Sequence, residues 1–350
     1  MKILIYLHHP SQFHVFKNCI TELKKRFEIL IIATHKDILT NLLDEQGFEY
    51  INILPEGRNG NKFSIALSLL KQDYRLLKIC LTHKPKLLIG TSTEITHVGR
   101  LLGIKSYFFI EDDISVVPLV GLLAHPFATK IVSPEVCNNG RWNNKTITYS
   151  GYQKLAYLHP NVFTPDYSVT SRYLPNKRPY CIIRLSSLDA HHDTSASGIS
   201  NEFISQIINI LNPIYTVFIT TERRLSEEFS QYQLSINPLD IHHLLAFASI
   251  FIGDSQSMAV EAAMLGTPNV RISSFSGKIS VLEELEHTYN LTVGIHPKDE
   301  ERIITTIREI AENKEIKAEY QQRRHSMLRD KIDVTAWLIE LFTQSASANA

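Results

Sequence analysis

Ser249-Ile250-Phe251-Ile252-Gly253-Asp254-Ser255-Gln256-Ser257-Met258-Ala259-Val260-Glu261-Ala262-Ala263-Met264-Leu265-Gly266-Thr267-Pro268 reads as a strand, a tight turn of small residues, a helix and a glycine stop. Amides without partners at that helix start, together with the helix dipole, make an anion site. The hydroxyls of Ser255 and Ser257 can add donors, and Gln256 and Met258 complete the turn. Glu261 follows Ser257 by four residues and so shares its helical face. A carboxylate there repels phosphate at contact distance but can accept both hydroxyls of a ribose. This division suits a nucleoside diphosphate. The plainer alternative is that Ser255 or Ser257 only caps the helix and Glu261 faces solvent.

Outward from this segment, strand and helix patterns alternate. Tyr180–Leu185, Tyr215–Thr220, Ser249–Ile252 and Asn269–Ile272 form one strand series. Helices are expected near Asn201–Leu211, Asp240–Ala248, Met258–Leu265, Ser280–His287 and Asp299–Asn313. An earlier series runs Ile3–Leu7, Ile29–Ala33, Tyr50–Leu54, Leu87–Gly90 and Tyr107–Ile110, each continuous in apolar character as buried strands are. Helical stretches near Val15–Lys25, Ile38–Gln46, Phe63–Leu81 and Thr96–Leu102 separate them. Such alternation implies parallel sheets covered by helices on both faces. The polar, turn-rich stretch from Asn138 to Pro179 divides the two series. The expected class is therefore α/β, with two Rossmann-like parallel-sheet domains facing a cleft. Residues 1–160 form the first and 161–330 the second, followed by a terminal helix over 331–344. Ligands bind outside the carboxyl ends of such strands.

Bulk properties agree with a folded, two-domain chain. Of 350 residues, 44% are hydrophobic and 21% charged, and Lys+Arg and Asp+Glu balance at 36 each. A chain without net charge has no global field for nucleic acid or an anionic membrane, so phosphate binding must be local. Four scattered cysteines show no CxxC spacing and suggest neither a disulfide framework nor a zinc site. The amino end enters a strand directly, without a signal-peptide pattern. The apolar run near Ile114–Ala124 contains Pro118 and is too short to span a bilayer. These features point to the cytoplasm.

Leu239-Asp240 through Pro268 resembles the nucleotide-binding end of GT-B glycosyltransferases and of the non-hydrolysing UDP-N-acetylglucosamine 2-epimerases. Those families carry a D-x-x-x-LL-x-x-A run, a small-residue turn and an E-A-x-x-x-G-x-P helix. The resemblance places their ribose-binding glutamate on Glu261 and their diphosphate turn on Ser255–Met258. It departs at Gln256-Ser257, where paired glycines are common. A longer resemblance covers nearly the whole chain. The strings from His9-Pro10-Ser11-Gln12-Phe13-His14 to Asn18, from Gly151-Tyr152-Gln153-Lys154 to Pro160, and Lys331-Ile332-Asp333-Val334-Thr335 are similar to the GT-B-like family called domain of unknown function 354. So is Arg184 to Asp193, which matches that family's R-x-x-x-x-D-A-x-H-D motif. The resemblance implies GT-B architecture, with the final helix crossing back to the first domain.

Other candidates cluster at strand ends. His8, His9 and His14 follow the first strand. His14 is read as opening the first helix, where the dipole keeps imidazole neutral and suited to general-base work; packing or capping is its bland alternative. Arg184 follows a strand and, in metal-free GT-B chemistry, is the first choice of cation for a departing diphosphate. Its alternative is an ion pair with Asp189 or Asp193. Asp189, His191, His192 and Asp193 would need a single-loop chelate to hold a metal, so hydrogen bonding to the nucleotide-sugar is preferred for Asp189 and His192. In Glu111-Asp112-Asp113 the adjacency is wrong for a DxD metal motif, and Asp112 is kept as an acceptor-binding group. Glu56–Lys62 reads as a surface loop.

The combined expectation is a metal-independent glycosyltransferase of polysaccharide biosynthesis. It takes a nucleotide-sugar as donor substrate, needs no cofactor, and uses a glycan or lipid-linked acceptor, with peripheral contact at the inner face of a membrane. The alternatives are a nucleotide-sugar 2-epimerase and a non-catalytic nucleotide-sugar-binding protein.

Overall fold

The computed structural model describes residues 1–35, 38–54, 62–174, 176, 178–186 and 199–347, the side chains of 62–66 and 347 excepted. It divides into two compact units, Met1–Val162 with Ile332–Ala350, and Phe163–Lys331.

The first unit alternates β1 (Lys2–Leu7), α1 (Pro10–Leu23), β2 (Glu28–Thr34), α2 (Leu39–Glu45), β3 (Ile51–Leu54), α3 (Lys62–His83), β4 (Leu87–Gly90), α4 (Thr93–Leu102), β5 (Lys105–Phe109), α5 (Pro118–Leu123), β6 (Lys130–Pro134), β7 (Thr146–Tyr149) and α6 (Leu155–Leu158). Its seven strands lie in the order β3-β2-β1-β4-β5-β6-β7, all parallel. Five of them match expected strands. β6 and β7 are additions, and β7 falls inside the stretch read as turns. Its outer position leaves Thr146, Ile147 and Thr148 partly or fully exposed, so it lacks the continuous apolar run that marks the central strands.

The second unit runs α7 (Tyr167–Ser171), β8 (Tyr180–Leu185), α8 (Asn201–Leu211), β9 (Thr216–Thr221), α9 (Ile241–Phe247), β10 (Ile250–Gly253), α10 (Gln256–Leu265), β11 (Asn269–Ile272), α11 (Ser280–His287), β12 (Val293–Ile295), α12 (Glu300–Glu312) and α13 (Ile316–Asp330). Its five parallel strands are ordered β12-β11-β10-β8-β9. β12 and α13 were not expected. β12 has three residues, and α13 buries only Tyr320 and Met327, so neither carries a legible apolar period. The chain then returns to the first unit as α14 (Val334–Ser347), which packs on α1 and α6.

α14 belongs to the first unit's core. Phe342 is fully buried and meets Phe109 at 5.9 Å, and Phe109 meets Phe16 at 5.2 Å. Burying such a ring stabilises by roughly 1.5–3 kcal/mol. Trp337 lies 4.8 Å from Tyr149, and Ser345 donates to the Tyr107 hydroxyl at 2.8 Å.

Both sheets contain a topological switch, where neighbouring strands send their connections in opposite directions. It falls between β1 and β4 in the first unit and between β8 and β10 in the second. Loops diverge there and leave a crevice at the strand carboxyl ends. A glycine closes each switch. A Cβ on Gly90 would sit 2.6 Å from the Tyr6 carbonyl oxygen, and one on Gly253 would sit 2.7 Å from that of Arg184. Only a hydrogen fits against the neighbouring backbone at either point.

Candidate functional site

The second unit's crevice is built from the ends of β8 and β10. Gly253 pairs with Arg184, and Asp254 then turns the chain into α10. The Asp254 amide donates to the Arg184 carbonyl at 3.3 Å, and its Oδ1 accepts the Ser186 amide at 2.6 Å. These two bonds fasten the loop after β8 to the loop after β10. Burial raises the Asp254 carboxyl above its usual range, against the opposing pull of the Ser186 bonds and the Arg223 charge. Among the described residues its Oδ2 has no hydrogen-bond partner.

Ser255 is the N-cap of α10, its hydroxyl accepting the Met258 amide at 3.4 Å. The plainer reading of Ser255 therefore describes its hydroxyl. The first-turn amides of Gln256 and Ser257 still have no acceptor within the helix, and residues 255–258 are half-buried at its mouth. The Gln256 side chain is turned into the protein, donating to Ser273 at 3.2 Å and accepting from Arg271 at 3.3 Å. Its side chain is thus occupied within the fold. Arg271 is fully buried, and burial lowers its pKa while Glu286 and Glu283, 3.7 and 3.9 Å away, oppose the shift.

Glu261 does not face solvent. It is buried in a helix whose residues from Ala259 to Leu265 are all buried, and its Oε1 lies 3.5 Å from Nε2 of the buried His242 on α9. A carboxylate in such surroundings is costly unless hydrogen-bonded or paired, so its placement calls for polar partners. Arg184 is the penultimate residue of β8 rather than a loop residue, and its guanidinium pairs with Glu222 just beyond β9. Its Nε is buried with no hydrogen-bond partner among the described residues.

In the first unit, the β1–β4 crevice is crossed by His8, whose Nδ1 lies 2.7 Å from Ser92 Oγ. The His8 amide donates to Gln12 Oε1 at 2.8 Å, which directs the Gln12 amide nitrogen toward Nδ1 at 3.3 Å. Nδ1 therefore accepts, and Nε2 carries the ring proton. α1 begins at Pro10 with His9 as its N-cap, because proline suits the first helical position, so His14 sits one turn inside instead of opening the helix. Dipole effects fade within the first turn, and that argument for a neutral His14 does not apply. Its ring is 8% exposed, 5.4 Å from Phe13 and 5.3 Å from Tyr157.

The acidic turn after β5 is partly structural. Glu111 accepts the Gln153 amide at 2.6 Å and Lys154 at 2.7 Å, while Asp113 accepts the Asn138 amide at 2.7 Å. Asp112 is half-buried between them. Asp189, His191, His192, Asp193 and most of the 56–62 loop lie outside the described residues. Among the described residues, no three His, Cys, Asp or Glu side chains gather as a metal ion would require. All four cysteines are buried, and there is no disulfide among the described residues. Ser92, His242 and Arg271 carry no sequence signal of their own and are brought in by packing rather than by spacing. Asp254 lies in the quoted turn and is distinguished by its bonds to Arg184 and Ser186.

Three solved structures place this fold. S. aureus MnaA, in a co-structure with UDP, is 12% identical, with a TM-score of 0.66 over 99% of this chain and 97% of that one. UDP-GlcNAc 2-epimerase from Neisseria meningitidis, bound to UDP-GlcNAc, is 14% identical, with a TM-score of 0.64 over 98% and 100%. The spinosyn forosaminyltransferase SpnP is 12% identical, with a TM-score of 0.64 over 99% of both chains. At such identities the likeness establishes architecture: two parallel-sheet α/β domains of GT-B type. No functionally curated protein matches the sequence. Residues 1–336 match the family model described as protein of unknown function DUF354, and the chain belongs to that family.

Proposed function

We propose that the chain is a GT-B-type glycosyltransferase that moves a sugar from a nucleotide-sugar to a glycan or lipid-linked acceptor in polysaccharide biosynthesis, acting in the cytoplasm without a divalent metal. The observation that carries this reading is the β8–β10 switch point. There the mouth of α10 and a buried Glu261 lie on one helix, one suited to a diphosphate and the other to a ribose. The fold neighbours include a forosaminyltransferase and proteins bound to UDP or UDP-GlcNAc, which supports a nucleotide-sugar as the partner.

In this reading the diphosphate rests on the Gln256 and Ser257 amides, with the Ser257 hydroxyl adding a donor and Met258 shaping the turn. Arg184 supports the charge that develops as the anomeric carbon–oxygen bond to phosphate breaks. Asp189 and His192 contact the nucleotide-sugar. An acceptor hydroxyl, oriented by Asp112, forms the new bond to the anomeric carbon, and its proton passes to a base. His9 Nδ1 caps α1 and His8 Nδ1 accepts from Ser92; in this reading the base is His14.

The test is incubation of purified protein with single UDP-, GDP-, CMP- and dTDP-sugars, with and without acceptor extract, in EDTA. Acceptor-dependent release of nucleoside diphosphate, or of CMP from the CMP-sugar, is expected with one donor class. Epimerised sugar without acceptor, or turnover that returns only on adding Mn²⁺ or Mg²⁺, overturns the proposal.

A further inference from the structure

The first unit carries an outer face that its own core does not use. On α3, Leu67, Leu70, Tyr74 and Leu81 recur at helical spacing and are all exposed. Leu101 at the end of α4 and Leu119 and Leu122 on α5 are each between 60% and 70% exposed. These helices are joined at one point. His97 on α4 lies 3.0 Å from Asp73 of α3 and 2.9 Å from the Leu123 carbonyl oxygen of α5, and its ring meets exposed Phe127 at 5.2 Å. Beside Phe127, Lys145 donates to the Ala128 carbonyl at 2.9 Å and lies over the Trp142 ring at 4.7 Å, with Arg141 over the same ring at 4.8 Å. The result is one apolar surface with a cationic, aromatic corner.

Charge decides what such a surface meets. Segments 62–83, 93–103 and 114–149 hold eight Lys and Arg and three carboxylates. Of the three, Glu94 is 3% exposed, Asp73 is paired with His97, and Glu135 accepts from the Ser150 hydroxyl at 2.6 Å. Among the described residues no helix is long and apolar enough to cross a membrane.

We propose that this face docks the protein on an anionic lipid surface, leucines and Phe127 entering the headgroup boundary and Lys78, Arg100 and Arg141 meeting lipid phosphates. Exposed leucines and aromatics interleaved with cations are the composition that binds at a bilayer interface, where apolar burial and attraction to anionic lipid add. The proposal does not rest on sugar transfer, so either can fail without the other.

The test is co-sedimentation of the full chain with vesicles of phosphatidylcholine, alone or with about one-third phosphatidylglycerol, at low and raised salt. Binding is expected to the anionic vesicles at low salt and to fall as salt rises. Leu119→Ser with Leu122→Ser, and separately Arg100→Glu with Arg141→Glu, should each weaken it at least about tenfold at unchanged Tm. Failure to bind anionic vesicles, equal binding to neutral ones, or undiminished binding by both well-folded variants overturns it.

Discussion

His8 Nδ1 and Ser92 Oγ, 84 residues apart in sequence, meet at 2.7 Å across the β1–β4 switch point. Their bond fixes the imidazole with its proton on Nε2 at the crevice proposed for the acceptor. Ser92→Ala is expected to raise the KM for acceptor several-fold, about 1 kcal/mol for one lost hydrogen bond, and to leave nucleotide affinity unchanged. Nitrogen NMR of the His8 ring checks the premise directly. A signal from the Nδ1-protonated tautomer would rule it out.

Glu261 and His242 form the second testable pair. Glu261→Ala should weaken binding of the cognate nucleotide by about 1–3 kcal/mol, the scale of charge-assisted hydrogen bonds to a ribose. His242→Gln should cost less, because His242 acts by holding the carboxylate 3.5 Å away. Calorimetry on both variants tests the order of the two effects. Unchanged affinity in Glu261→Ala would remove the ribose assignment.

Gly253 reports on the crevice itself. A methyl group there would lie 2.7 Å from the Arg184 carbonyl oxygen and 2.9 Å from its Cβ, and neither can retreat without opening the β8–β10 pairing. Gly253→Ala is therefore expected to destabilise the protein by about 1–3 kcal/mol, as overpacking does. It should weaken nucleotide binding as well, because Asp254 and the α10 mouth shift with the strand. Denaturant unfolding that matches the parent would show that the contact has slack.

The strand–turn–helix around Gly253 is legible because an apolar run, small residues and a glycine stop fall in that order along twenty residues. Ser255–Glu261 could be read for the same reason: the features share one helix. His242, 19 residues before Glu261, and Arg271, 15 after Gln256, meet those residues only once strands and helices have packed. No local pattern encodes that meeting. β7 and α13 escaped for a related reason, since half-exposed or nearly all-polar elements lack the apolar period by which strands and helices are recognised. His14 was misplaced by one turn because Pro10, a good first helical residue, extends α1 toward the strand.

His125 predicts a pH effect. It is fully buried, and burial, helped by the Lys145 charge, lowers its pKa from 6.5 to about 4. Below pH 6.5 the unfolded chain takes up a proton that the folded chain refuses until about pH 4, so stability is lost as pH falls through that window. The loss is on the order of 1–3 kcal/mol. His125→Phe removes the titrating ring and keeps an aromatic beside Phe108, 5.8 Å away. Thermal melts at pH 7 and pH 4.5 should show a smaller acid drop for this variant than for the parent. Equal drops would place the acid sensitivity elsewhere.

His14 is the base in the proposed transfer, and its surroundings dictate which variant to make. Its ring is 8% exposed and packs near Phe13 and Tyr157, so His14→Ala leaves a hole and should lower stability by about 1–3 kcal/mol whatever its chemistry. Turnover of that variant alone would therefore mix two effects. His14→Gln fills more of the space and keeps hydrogen-bonding capacity but cannot accept a proton at neutral pH. If His14 deprotonates the acceptor, His14→Gln should lose roughly 10²–10⁴-fold in kcat while remaining folded. Nucleotide affinity should hold, because the diphosphate and ribose contacts are proposed for Ser257 and Glu261 in the other unit. The pH dependence of kcat should also lose its acidic limb, a change that a packing role would not produce. A folded His14→Gln protein with near-normal kcat and an unaltered pH profile would assign His14 to packing and return the search for the base to the loops after β4 and β5.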